Sequence, residues 1–97
     1  MTSIKVSIIV LAYNVEQYIA KALDGIIEQE VNFDYEIVIG DDCATDNTVE
    51  IIHMYAKKYP DKIKLFLSNE NKGNAYNFAN LYSKINGQYF TVLDGDD

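Results

Sequence analysis

VSIIVLAYN, from Val6 to Asn14, decides how the rest of the chain is read. Its apolar part, Val6 to Ala12, is continuous and rich in β-branched residues. A strand with one wet face alternates polar and apolar side chains, whereas a strand covered on both faces does not. This stretch therefore predicts a first strand packed on both sides. Asn14 follows, with Gln17 three residues on in a capping-box arrangement. Val15, Tyr18, Ile19, Ala22, Leu23, Ile26 and Ile27 then recur at helical spacing.

The same unit repeats outward along the chain. YEIVIG at Tyr35 to Gly40 is a second short apolar run, closed by Asp41-Asp42. Asp46 or Asn47 can cap the next helix, with Glu50 placed to complete a box with Asn47. Val49, Ile52, Ala56 and Tyr59 share one face of that helix until Pro60 stops it. IKLFL at Ile63 to Leu67 reads as a third strand. Ala75, Phe78, Leu81, Tyr82 and Ile85 mark a third helix beginning near Gly73. After Gly87, YFTVL at Tyr89 to Leu93 gives a fourth strand that runs into Asp94-Gly95-Asp96-Asp97.

The alternation β-α-β-α-β-α-β has no internal linker or repeat. Helical crossovers of this length join parallel strands, so the expected fold class is α/β, a Rossmann-like, mostly parallel sheet flanked by helices. Ninety-seven residues support one small domain with a modest core. Apolar residues make up 48%, charged residues 24%, and there is one proline, a balance that excludes a disordered chain. The net charge of −7 argues against a broad nucleic-acid surface, which would concentrate Lys and Arg.

Cys43 is the single cysteine, so no internal disulfide can form, and no Cys/His cluster has the spacing of a zinc site. The apolar run Ile8 to Ala12 is too short to span a bilayer, and the N-terminus lacks the pattern of a signal peptide. A soluble domain in a reducing, cytoplasmic setting is expected.

In open α/β sheets the ligand crevice lies beyond the carboxyl ends of the strands. Tyr13-Asn14, Asp41-Asp42 and Asp94-Asp96-Asp97 all fall at such ends. Carboxylates crowded as in D-G-D-D repel one another unless a cation, protons or water relieve them, and hard oxygen donors suit Mg²⁺ or Mn²⁺. Magnesium leaves several coordination positions to water and phosphate oxygens, which a nucleoside diphosphate supplies. D-x-D alone is also compatible with a solvated surface turn.

Asp42 could accept a hydrogen bond from the N3–H of uracil, or Asp41 and Asp42 could favour the following helix start. Asp46 reads as a cap. Tyr13 could face a base or simply end a strand, and Gly73 could permit close backbone approach or simply open a helix. Tyr18, Tyr55 and Tyr59 read as packing residues, and His53 as a surface or packing histidine. Cys43, beside two aspartates that disfavour a thiolate, is not expected to be a nucleophile.

Four ordered elements together resemble glycosyltransferase family 2, whose nucleotide-binding part has the GT-A fold. They are SIIVLAYN at Ser7–Asn14, EIVIGDDCATDNT at Glu36–Thr48, NKGNAYN at Asn71–Asn77 and GQYFTVLDGDD at Gly87–Asp97. The resemblance covers essentially the whole chain. It implies that Leu11, Ala12 and Tyr13 border the nucleobase, that Asp42 meets uracil, and that Asp94 with Asp96 form the D-x-D pair. Asp96 is the foremost metal ligand implied for Mn²⁺ or Mg²⁺. Asp94 would serve ribose or the metal shell, and Asp97 would share the coordination. Gly73 and Asn77 fall in the third element and are carried as nucleotide-binding residues.

The sequence departs from the family pattern at Leu11, where a proline is common, at Ala44, where serine is usual, and at Phe78-Ala79, where an Arg-Asn pair is common. None of these touches the D-x-D. The resemblance further implies a UDP-sugar donor, a saccharide or lipid-linked acceptor, inversion at the anomeric carbon, and a place in polysaccharide synthesis. A catalytic acid residue is expected beyond Asp97. Residues 1–97 are thus expected to be a donor- and metal-binding part of a longer enzyme, inactive alone, with the whole protein at the cytoplasmic face of a membrane.

Two rivals accompany this expectation. A Mg²⁺-dependent phosphoryl-transfer domain also uses aspartates at strand ends, but its acids would follow the first strand. A non-catalytic binding module is the other, and a half-domain with open sheet edges would also be prone to self-association.

Overall fold

The computed structural model describes residues 4–12, 17–29, 33–41, 46–67 and 73–94, with the side chains of Asn74 and Asp94 outside that description. Strand and helix alternate as expected: β1 (Val6–Ala12), α1 (Ile19–Ile27), β2 (Tyr35–Asp41), α2 (Thr48–Lys58), β3 (Ile63–Leu67), α3 (Asn74–Tyr82) and β4 (Tyr89–Asp94). The four strands form one sheet in the order β3-β2-β1-β4, and every neighbouring pair is parallel.

β1 is central, and its run of apolar residues from Ile8 to Ala12 is explained by two cores. On one face Val10 and Ala12 pack with Ile37 and Ile39 of β2, Ile63 of β3, Ile19 and Leu23 of α1, and Ile52 of α2. On the other, Ile9 and Val38 meet Leu81 of α3, with Phe78, Phe66 and Ile85 around them. Each such isoleucine or leucine, fully buried, contributes about 1.5–3 kcal/mol relative to exposure. The helices α1 and α2 thus cover one face and α3 the other. Tyr55 ties the first two together: its hydroxyl donates to Asp24 Oδ1 at 2.6 Å. Burial first, then that bond and the Asp24 charge, push the Tyr55 hydroxyl up to about 12.

Two boundaries differ from the sequence expectation. α1 begins at Ile19 behind a turn at Gln17-Tyr18, with no side-chain cap hydrogen bond from Tyr18, and the expected cap at Asn14 lies outside the described residues. Gln17 and Tyr18 are exposed, so nothing packs that first turn onto the sheet. Tyr18 is accordingly no packing residue, whereas Tyr55 and Tyr59 do pack against the first core. α3 ends at Tyr82, and Ile85 reaches the second core from the coil that follows. At α2 the capping role falls to Asp46, whose Oδ1 accepts from the Thr48 N–H at 3.0 Å and from the Thr48 hydroxyl. His53 lies exposed on α2.

At the amino ends of the strands sits a polar network. Glu36, fully buried, accepts from the Ser7 hydroxyl at 2.6 Å, the Asn86 N–H at 2.7 Å and Lys64 Nζ at 2.7 Å. Burial alone would push the Glu36 carboxyl up. The bonds from Lys64, Ser7 and Asn86, with the Lys64 charge, outweigh it and hold the group below its ordinary 4.5. Among the described residues every buried side-chain nitrogen or oxygen has a hydrogen-bond partner. No helix among them is long and apolar enough to cross a membrane.

Candidate nucleotide-binding rim

The strand order places a topological switch between β1 and β4. From β1 the chain steps through β2 to β3 on one side, and α3 then carries it back over β2 and β1 to β4 on the other. Crevices in open α/β sheets form at the carboxyl ends of strands flanking such a switch. Here the register makes those ends level: Leu11 lies opposite Gly40 on one side and Asp94 on the other, and Ala12 lies opposite Asp41. With strands about 4.8 Å apart, the ends of β2 and β4 stand about 10 Å from each other across β1.

Several candidate residues are thereby brought to one rim. Leu11, Ala12 and Asp94 end β1 and β4 side by side. Asp41, buried at 2% exposure, closes β2. Gly73 opens α3 with φ of 90°, a left-handed conformation that a residue with a side chain adopts only under strain. Tyr13, Asp42, Asp96 and Asp97 lie outside the described residues, as does Cys43. The strands that lead into Tyr13, Asp42 and Asp96 nevertheless end at the same edge of the sheet. No group of three or more potential metal ligands occurs among the described residues.

Asn77 takes a place that its type did not announce. It is buried, and its Nδ2 donates to the Gly40 carbonyl oxygen at 3.0 Å. A Cβ on Gly40 would fall 2.3 Å from Asn77 Oδ1 and 2.7 Å from Leu81 Cδ1, so α3 approaches β2 to a distance only glycine allows. The pair clamps the first turns of α3 behind the rim. The signal was present in the sequence: a glycine inside a β-branched strand marks close approach of another element. Asp41 is the other residue whose position stands out, a carboxylate buried at the very end of β2.

A parallel α/β sheet with glycine-assisted helix packing and acidic strand ends at its switch point places the chain in the Rossmann-like class of folds. The particular family follows from comparison. The model of glycosyl transferase family 2 matches residues 7–97, and the chain belongs to that family.

Among relatives, an uncharacterised protein of Mycobacterium tuberculosis is 41% identical over 91 residues, which are 94% of this chain and 26% of that protein. A solved mannosyltransferase from Pyrobaculum calidifontis, in complex with GDP-Man and Mn²⁺, superposes with a TM-score of 0.85 at 27% identity, covering 99% of this chain and 28% of that one. TarS from S. aureus, residues 1–349 in complex with UDP-GlcNAc, superposes with a TM-score of 0.82 at 29% identity, over 96% of this chain and 27% of that one. The chain thus spans about a quarter of the length of these proteins, and its fold is that of the N-terminal part of GT-A glycosyltransferases.

Proposed function

We propose that this chain is the donor-binding part of an enzyme that moves a sugar from a nucleoside diphosphate, preferably uridine diphosphate, to an acceptor hydroxyl with inversion at the anomeric carbon. The observation that supports this most is the level ending of β1, β2 and β4, with Leu11 between Gly40 and Asp94 at the switch point. Leu11, Ala12 and Tyr13 would line the base. Asp42 would accept the uracil N3–H, a charge-assisted bond worth roughly 1.5–3 kcal/mol when buried, and one that cytosine cannot offer.

Asp96, with Asp94 and Asp97, would hold Mn²⁺ or Mg²⁺, since closely spaced carboxylates supply the hard oxygens these ions prefer and need a cation to offset their repulsion. Such an ion, when bound, supplies Lewis acidity to the departing diphosphate. The opening of α3 at Gly73 presents a helix N-terminus, where phosphate charge is favoured. Asn77 would serve the nucleotide from behind, by holding that helix start against Gly40. Acceptor contacts, to a saccharide or a lipid-linked one, and the general base are assigned to none of these residues.

Titration of UDP, CDP and GDP in the presence of Mn²⁺ tests the donor assignment. The wild-type chain should bind UDP about tenfold more tightly than CDP, and Asp42→Asn should narrow that gap. Tighter binding of GDP than of UDP would overturn the uridine preference. Equal affinity for all three, unchanged by Mn²⁺, would overturn donor binding altogether.

A further inference from the structure

β4 lies at the edge of the described sheet, and its side chains hold it unevenly: Leu93 packs on the first core and the Phe90 ring meets those of Phe78 and Tyr82 with centroids 6.3 and 5.1 Å away, whereas Tyr89 and Val92 reach no core. Its sequence YFTVL carries apolar or aromatic residues on both faces, with Thr91 the one polar side chain, and Tyr89, Phe90 and Val92 are substantially exposed. A strand with similar residues on both faces gains little from one alignment over the next, yet a slip by one residue reverses every side chain. Slipping β4 on β1 would also replace Asp94 opposite Leu11 by Leu93 or by residue 95. The Phe90 and Leu93 contacts lie within β4 itself, and a second set fixes where the strand starts.

The amino end of the sheet supplies it. The Ser7 hydroxyl donates to Glu36 Oε2 at 2.6 Å and accepts from the Gly87 N–H at 2.8 Å, so one side chain of β1 bridges β2 to the segment entering β4. The preceding N–H, that of Asn86, donates to the same Glu36 oxygen at 2.7 Å. Tyr89 N–H then donates to the Lys5 carbonyl oxygen at 2.9 Å, the first backbone link between that segment and the start of β1. Gly87 passes so close that a Cβ there would lie 2.6 Å from Ser7 Oγ and 2.7 Å from the Ser7 nitrogen. Two successive N–H groups and one glycine without room for a side chain leave a single alignment.

We propose that Ser7, Glu36 and Gly87 form a register lock that positions the acidic end of β4 at the nucleotide rim, with Glu36 a positioning residue for a site it does not touch. Four residues of strand separate Ser7 from Leu11, about 13 Å, so the lock acts through the strand rather than by contact. The Glu36 carboxylate is the stronger anchor because it is buried and ionised and faces donors from β1, β3 and the β4 entry together. The importance of this lock for nucleotide binding rests on the donor-site assignment made above; its effect on β4 does not.

The test uses the full 97-residue chain with Ser7→Ala, Glu36→Gln and Gly87→Ala, read by residue-resolved amide hydrogen exchange and by UDP titration with Mn²⁺. Ser7→Ala, the mildest change, keeps the assay usable should the other two fail to fold. Amides of β4 should lose protection at least tenfold more than those of β2 and β3, and UDP affinity should fall several-fold in step. Protection lost equally in all four strands, or β4 left unchanged in Ser7→Ala and Glu36→Gln, would overturn the lock. A wild-type chain that binds neither UDP nor Mn²⁺ would instead sink the donor site, and the exchange pattern would still decide the lock.

Discussion

The two ends of the sheet use carboxylates in opposite ways. At the amino end Glu36 is buried among donors that the protein itself provides, and Lys64 balances its charge at 2.7 Å. At the carboxyl end β2 closes on Asp41 and β4 on Asp94 at the same edge of the sheet, and the sequence continues into Asp42 and into Gly95-Asp96-Asp97 with no lysine or arginine in either stretch. A carboxylate satisfied from within stabilises the fold, whereas acids clustered in the sequence suit a ligand that carries positive charge, the role proposed for them above. On the proposed reading, position on a strand, rather than residue type, separates the structural acid Glu36 from the acids assigned to the donor site.

The sharpest way to break the contrast is Glu36→Ala. It leaves the Ser7 hydroxyl, the Asn86 N–H and Lys64 without their acceptor, and should cost roughly 3 kcal/mol. In a domain of this size that lowers the melting temperature by on the order of 15 °C in a thermal scan. Gly40→Ala should follow at about 2 kcal/mol, since the added methyl overlaps Asn77 and Leu81 and forces α3 away from the rim. A urea midpoint that barely moves would show that α3 yields more readily than its packing implies.

The amino end should also be the acid-sensitive one. Because the Glu36 pKa is lower in the folded chain than its ordinary 4.5, its contribution is fully present above that value and is lost as pH falls through the folded value. The stability gap between wild type and Glu36→Gln, measured by denaturant unfolding, should therefore be widest near neutrality and should shrink as pH falls below 4.5. A gap that stays constant from pH 7 to pH 3 would contradict the lowered pKa. The smallest effect is expected away from both ends, at Tyr55→Phe. Losing the bond to Asp24 should cost about 0.5–1.5 kcal/mol at neutral pH. Since the Tyr55 pKa is raised, that contribution persists below pH 10 and disappears as pH rises through about 12.

How much of this was legible in the sequence differs by residue. Val6 to Ala12 revealed a doubly covered strand because burial on both faces removes any need for alternation, and α3 and α2 do cover opposite faces. The start of α1 was not legible, because the helical periodicity runs back through Tyr18, whereas Gln17-Tyr18 form an exposed turn and the helix begins at Ile19. Asn77 carried the signature of a polar residue in a family motif, yet its bond to Gly40 joins residues 37 positions apart. Glu36 was hidden more deeply: inside YEIVIG it reads as one strand residue, and its partner Asn86 lies 50 positions on. Local periodicity reports which face a residue takes, whereas contacts between distant segments emerge only once the sheet order is known. The rim itself was legible in outline, since strand ends and acids coincide in the sequence, but its levelness depends on the register of β1 with β2 and β4.

The most direct measurement is the binding of UDP by calorimetry with and without Mn²⁺, for the wild-type chain and for Asp96→Ala. Mn²⁺ should tighten UDP binding by at least tenfold in the wild type and have little effect in Asp96→Ala, while the variant's unfolding free energy stays within about 0.5 kcal/mol of wild type. Wild-type affinity that ignores Mn²⁺, or an Asp96→Ala chain that responds to it fully, would contradict the assignment of the rim acids to a metal-bridged sugar donor.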